Sequence, residues 1–185
     1  DLTKKLSKEE YKAKMPQLES KLGRLQRECK ALNIPILIVF EGFGASGKGL
    51  QIGRLIQSMD PRGFEVHPIK NETEEEQMHP FMWRFWTKTP ARGRIAIFDG
   101  SWYRRVLIDR FEKRTKNKEL SDAFHSINSF EEQLADDGNL IIKLFLCIDK
   151  KEQKKRFDKL AKNKESARRV SQGDRERNAR FDEYA

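Results

Sequence analysis

Ile36 to Phe40 is an unbroken apolar run that leads straight into Gly42-Phe-Gly-Ala-Ser-Gly-Lys-Gly49. A buried strand, a glycine-rich turn and a lysine in that order leave few folds open. The glycines let the chain double back with its N–H groups turned inward, while a helix starting near Lys48 aims its positive end at an anion. That is a phosphate-gripping loop, and it makes phosphoryl chemistry the leading reading. Position 49 is Gly, so the hydroxyl that usually follows the lysine and touches Mg²⁺ is missing.

The rest of the chain alternates. Strands are expected at Ile36 to Phe40, Phe64 to Ile69, Ile95 to Phe98 and Leu140 to Ile148. Helices are expected at Leu50 to Met59, Met78 to Trp86 (disturbed by Pro80), Tyr103 to Arg114, Phe124 to Leu134 and Lys150 to Asn163. Continuous apolar strands separated by helices imply a parallel sheet covered on both faces, an α/β fold of three layers. Ahead of the first strand, Tyr11, Met15, Leu18, Leu22, Leu25, Cys29 and Leu32 recur at spacings of four and three. This is one apolar helix stripe, with Pro16 marking the first turn of its main part, and packing on the chain's own core is favoured over packing on a partner. Ser171 is a candidate cap for a last helix containing Arg175 to Tyr184.

Arg94-Ile-Ala-Ile-Phe-Asp99 ends a buried strand with a carboxylate. Ligand sites in such sheets lie beyond the strand C-termini, so Asp99 should arrive beside the loop and hold Mg²⁺ between transferring phosphoryl oxygens. Glu41 is placed to orient Lys48 or water near the metal, or is a plain strand-end acid. The Glu72, Glu74, Glu75 and Glu76 cluster reads as a solvated helix start. Trp83, Trp86, Trp102 and Tyr103 read as core or groove walls.

Charge narrows the partners. The chain has 38 Lys and Arg against 29 Asp and Glu, net +9, and residues 150–185 alone hold thirteen basic and seven acidic side chains. An anion meets that end, and the segment has the composition of a lid, with arginines to clamp phosphate and lysines to tolerate a shifting polyanion. Cys29 and Cys147 are too isolated for a disulfide framework and fit a reducing cytoplasm. No run approaches a membrane span, and no recognition helix or RNA-binding signature accompanies the basic residues.

Glu41-Gly-Phe-Gly-Ala-Ser-Gly-Lys-Gly49, Gly93-Arg-Ile-Ala-Ile-Phe-Asp-Gly-Ser-Trp-Tyr-Arg-Arg105 and Arg169-Val-Ser-Gln-Gly-Asp174 together resemble the family-2 polyphosphate kinases, from about residue 10 to the chain end. The resemblance implies a P-loop kinase-like α/β/α fold with a parallel sheet and a basic helical lid. It implies oligomers, Mg²⁺, and phosphate exchange between inorganic polyphosphate and nucleotides. On that pattern Lys48, Asp99 and Asp109 are the catalytic residues, and Asp99 and Asp109 hold the metal. Gly42, Gly44, Ala45, Ser46, Gly47, Lys48 and Gly49 cradle phosphate. Arg105, Arg156, Arg168 and Arg169 close on it.

Two departures stand out. The family loop usually carries Asp where this chain has Gly44, and Arg where it has Gly100. Such losses resemble the degenerate N-terminal unit of the tandem polyphosphate:AMP phosphotransferases. The expected organisation is therefore one P-loop kinase-like domain over residues 1–185, with an N-terminal helical segment (1–33) and a lid with its following helix (150–185), cut from a longer chain. Three readings stay open: a polyphosphate-dependent nucleotide phosphotransferase, a noncatalytic partner domain joined in tandem or in a homo-oligomer, and an ATP-dependent small-molecule kinase.

Overall fold

The structure is a computed structural model that describes residues 4–162, 165, 167 and 170–184. It opens with α1 (Lys8–Ala31), started by a reciprocal cap in which the Glu10 N–H donates to Ser7 Oγ (3.1 Å) and the Ser7 N–H donates to the Glu10 carboxylate (3.0 Å). This cap starts the helix well before Pro16, which lies inside it rather than in its first turn. Then come β1 (Ile36–Gly42), α2 (Lys48–Gln57), β2 (Phe64–Pro68), α3 (Glu74–Gln77), α4 (Trp83–Trp86), β3 (Ile95–Asp99), α5 (Ile108–Phe111), α6 (Leu120–Asp136), β4 (Leu140–Leu146), α7 (Lys150–Lys162), α8 (Gln172–Ala179) and α9 (Phe181–Tyr184).

All strand pairs are parallel, in the order β2-β3-β1-β4. Alternating side chains split the sheet into two apolar faces. Ile36, Ile38, Phe40, Ile95 and Ile97 pack with Ile52 and Met59, with Cys29 and Leu55 against them. Leu37, Val39, Ala96 and Phe98 pack with Trp102 and with Ile127, Phe130 and Leu134 of α6. The result is the expected three-layer α/β/α arrangement.

Coverage is incomplete in two places. At the edge strand β4, Leu140, Leu144 and Phe145 are exposed, because only β1 pairs with it among the described residues. On α1 the docked side is rotated toward Gly23 and Gln26. Gln26 is buried and exchanges two hydrogen bonds with the Asp60 backbone (2.7 and 3.0 Å), and Cys29 reaches the core. Leu18 and Leu32 remain 51% and 69% exposed, so the stripe packs on the chain's own core only in part.

Two expected helices are broken. Residues 78–86 keep only α4, after a separate turn, α3, capped by Thr73. Residues 103–114 become a 3₁₀ turn (Trp102–Arg105) followed by α5, because the Ser101 hydroxyl accepts the Tyr103 N–H (3.2 Å) while the Trp102 ring is drawn fully into the core. The Ser171 cap forms as expected, but its helix ends at Ala179 and restarts at Phe181.

Candidate active site

β1 and β3 lie side by side with Phe40 opposite Asp99, so both strands end at one level and deliver their following loops to one place. Gly42 must approach β4 closely, since its φ is +138° and a Cβ there would lie 2.3 Å from the Leu146 carbonyl oxygen. The loop turns through Ala45 at φ +58° and Gly47 at φ +101°, and α2 begins at Lys48. A non-glycine residue in the left-handed region is strained, and such strain gathers at functional sites.

Ala45, Ser46, Gly47, Lys48, Gly49, Asp99 and Arg156 line one cavity of about 900 Å³. Lys48 and Asp99 therefore open onto the same space. Lys48 Nζ donates to the Gly42 carbonyl (2.9 Å). Ser46 Oγ is buried and has no hydrogen-bond partner among the described residues. Glu41 accepts the Ser101 hydroxyl (2.7 Å), which ties the two loops together. Burial pushes the Glu41 carboxyl up from its ordinary value; Ser101 and Lys48 only partly offset this, and Asp99 adds to it.

A second cleft of about 530 Å³ is lined by the segments that follow β2 and β3, and four arginines face it: Arg84, Arg104, Arg105 and Arg114. The loop after β2 joins the two places, for Ile69 donates its N–H to the Asp99 carbonyl (3.0 Å) and Asn71 accepts from Arg104 (2.7 Å). Arg105 lies over the Phe81 ring at 4.8 Å. Arg84 is only 4% exposed, is held by Glu76 (3.2 Å) and the Lys70 carbonyl (3.1 Å), and keeps a buried Nε without a partner among the described residues.

The expected site residues thus divide. Asp109 lines the second cleft, where Arg104 (3.3 Å) and Arg114 (2.6 Å) hold it, while Asp99 lines the first. Arg105 also belongs to the second cleft. Gly42 and Gly44 frame the loop without lining the first cavity. Arg156 lines that cavity, but its Nη1 donates to the Ala45 and Ser46 carbonyls (3.1 Å each). Arg168 and Arg169 lie outside the described residues. Glu76 is no solvated helix start, being 12% exposed and paired with Arg84 and Lys88. Sequence reading missed Arg84, Arg104 and Arg114, and their composition signal was diluted by 38 basic residues.

The profile of the polyphosphate kinase 2 (PPK2) family matches residues 5–185. The chain belongs to the polyphosphate kinase 2 family. It is 37% identical over 184 residues to a polyphosphate:AMP phosphotransferase of Pseudomonas aeruginosa, covering all of this chain and 37% of that protein. It is 32% identical over 147 residues to ADP-polyphosphate phosphotransferase 3 of Rhizobium meliloti, covering 80% of this chain and 52% of that one. Among solved structures, a polyphosphate kinase 2 from Pseudomonas aeruginosa superposes with a TM-score of 0.94 at 37% identity, over all of this chain and 40% of that one. Polyphosphate kinase 2 from Arthrobacter aurescens gives 0.91 at 31% identity, over 97% and 65%. The chain spans well under two thirds of the length of these curated relatives. No helix among its described residues is long and apolar enough to cross a membrane.

Proposed function

We propose that this chain is the phosphate-gripping unit of a Mg²⁺-dependent phosphotransferase that moves phosphate between inorganic polyphosphate and a nucleotide of the AMP or ADP type. The observation that carries the reading is the convergence of Lys48 and Asp99 on one cavity, next to a second cleft lined by four arginines. Transfer between two polyanions needs two anion sites at one sheet end. In this reading Lys48 and the loop N–H groups hold the end of polyphosphate, while Arg84, Arg104 and Arg105 take the nucleotide's phosphates. Fixed cations that meet charge as it develops act without reorganising at the moment of transfer.

The donor set suits the metal. Mg²⁺ takes one or two carboxylates and completes its shell with water and phosphate rather than requiring an all-protein cage. Asp99 supplies such a carboxylate, and the unpartnered Ser46 hydroxyl is a further hard oxygen. When bound, the ion would neutralise charge on the transferring oxygens. Asp99 would hold it, and Glu41 would steady the Asp99 loop through Ser101. The exposed stripe of α1 is where we place association with a second copy or a tandem neighbour, and the two free thiols suit the cytoplasm.

A noncatalytic partner domain is the second reading, favoured by the crowding at Gly44, where a side chain would start 3.0 Å from the Phe157 ring and 3.1 Å from an Asp174 oxygen. Incubation of the chain with Mg²⁺, polyphosphate and AMP, ADP or GDP, followed by chromatography of the nucleotides, separates the two. New phosphoanhydride that Lys48→Ala and Asp99→Asn each reduce by roughly a hundredfold supports catalysis. Polyphosphate binding without transfer supports the partner role, and neither binding nor transfer rejects both.

A further inference from the structure

Gln153 is the most deeply buried side chain of the highly charged helix α7, at 1% exposure. Its Nε2 donates to the Gly44 carbonyl (3.0 Å), and its Oε1 accepts from Asn178 of α8 (2.8 Å). One turn later Arg156 Nη1 donates to the Ala45 and Ser46 carbonyls (3.1 Å each), while its Nε is braced by Glu152 (2.8 Å). Two side chains of α7 thus take three consecutive carbonyls of the phosphate loop. Between them the Phe157 ring, 4% exposed, lies against Gly44.

A trans peptide points its C=O and N–H in opposite directions. Drawing the Gly44 and Ser46 carbonyls toward α7 therefore turns the Ala45 and Gly47 N–H groups away from it. The Ser46 N–H, by contrast, closes a turn on the Phe43 carbonyl (3.1 Å). The Ala45 and Gly47 N–H groups have no protein acceptor among the described residues, as an anion cradle requires.

We propose that Gln153 and Arg156 are positioning residues for the phosphate loop: they hold its carbonyls on α7 and so aim the Ala45 and Gly47 N–H groups at phosphate without touching it. This rests on the reading of the loop given above and deepens it. Arg156, expected from sequence to bind phosphate directly, acts here through the backbone. Asn178 extends the same brace to α8.

Inorganic tripolyphosphate with Mg²⁺ is the probe, titrated calorimetrically into the 185-residue chain and into Gln153→Leu, Arg156→Lys and Asn178→Ala. Hydrogen exchange at residues 44–49 and unfolding midpoints are measured alongside. Losing either anchor is expected to weaken binding roughly tenfold, about 1.4 kcal/mol, and to speed exchange at Ser46, whose N–H is held by the Phe43 carbonyl. Arg156→Lys keeps the charge but loses the Nε bond to Glu152 that braces the guanidinium while its Nη1 holds the two carbonyls, so it should weaken binding as well. Its side chain is 40% exposed, so it carries the test should Gln153→Leu unfold. Lower midpoints with unchanged tripolyphosphate affinity would reduce both residues to ordinary packing and overturn the proposal. If the unmutated chain binds no tripolyphosphate, the loop reading falls and takes this one with it.

Discussion

Replacing Gly42 by Ala tests whether the loop is built by a close strand approach or by turn conformation alone. Its Cβ would stand 2.3, 2.7 and 2.9 Å from the O, N and C atoms of Leu146, all of them backbone of the paired strand. Nothing flexible can move aside. Forcing the strands apart costs about 1–3 kcal/mol, and a left-handed Ala adds about 1–2 kcal/mol. The shift also strains the Phe43 N–H bond to the Leu146 carbonyl (3.2 Å), so the expected loss is roughly 2–5 kcal/mol in all. Gly47→Ala is the control, with φ +101° but no atom of the described residues within 4 Å of the added carbon. It should lose only the conformational part, about 1–2 kcal/mol. In urea, with a slope of roughly 1–3 kcal/mol per molar, the two midpoints should differ by about 1 M. Equal midpoints, or a larger loss at Gly47, would refute the claim that contact with β4 fixes the loop's entry.

Three further outcomes follow from the packing. Glu76→Gln leaves the buried Arg84 guanidinium without its carboxylate and should cost about 3–5 kcal/mol at pH 7. Burial raises the Glu76 carboxyl, but the Thr73 backbone, Arg84 and Lys88 outweigh it and leave it below its ordinary value. Its contribution is therefore complete above about pH 4.5 and lost as pH falls through the lowered value, so the gap between variant and parent in urea melts should narrow progressively as the pH is taken down from 4.5. Leu18→Gln and Leu32→Gln should each change stability by less than about 0.5 kcal/mol in the monomer, and a dilution-dependent loss would show that a partner covers that stripe. Trp102→Phe keeps an aromatic ring in the core but drops the indole N–H bond to Glu131 (3.0 Å), which Tyr103 (2.7 Å) and Lys143 (2.8 Å) also use, and should cost about 1–3 kcal/mol by denaturant titration.

The sequence determined what is local. Strand, glycine turn and lysine at Ile36 to Gly49 dictated the loop, because left-handed backbone and a helix start are properties of a few adjacent residues. The apolar runs at Ile95 and Leu140 likewise dictated parallel strands, although β4 lies exposed at the sheet edge where β3 is buried, and Asp99 was legible as a strand-end acid. Where elements compete for the core, local pattern was not enough. The stretch from Tyr103 to Arg114 reads as helix, yet burying Trp102 beside Phe85 and Phe98 bent it into short turns. That bend set Asp109 against Arg104 and Arg114.

Only the tertiary structure decided which cations face ligand and which hold backbone. Arg156 in sequence is one basic residue in a run of them, and Gln153 gives no signal among its charged neighbours. Their roles depend on carbonyls more than a hundred residues away, at Gly44, Ala45 and Ser46. Hydrogen bonds act over about 3 Å, and no residue pattern along a helix specifies what a distant loop will bring within that range.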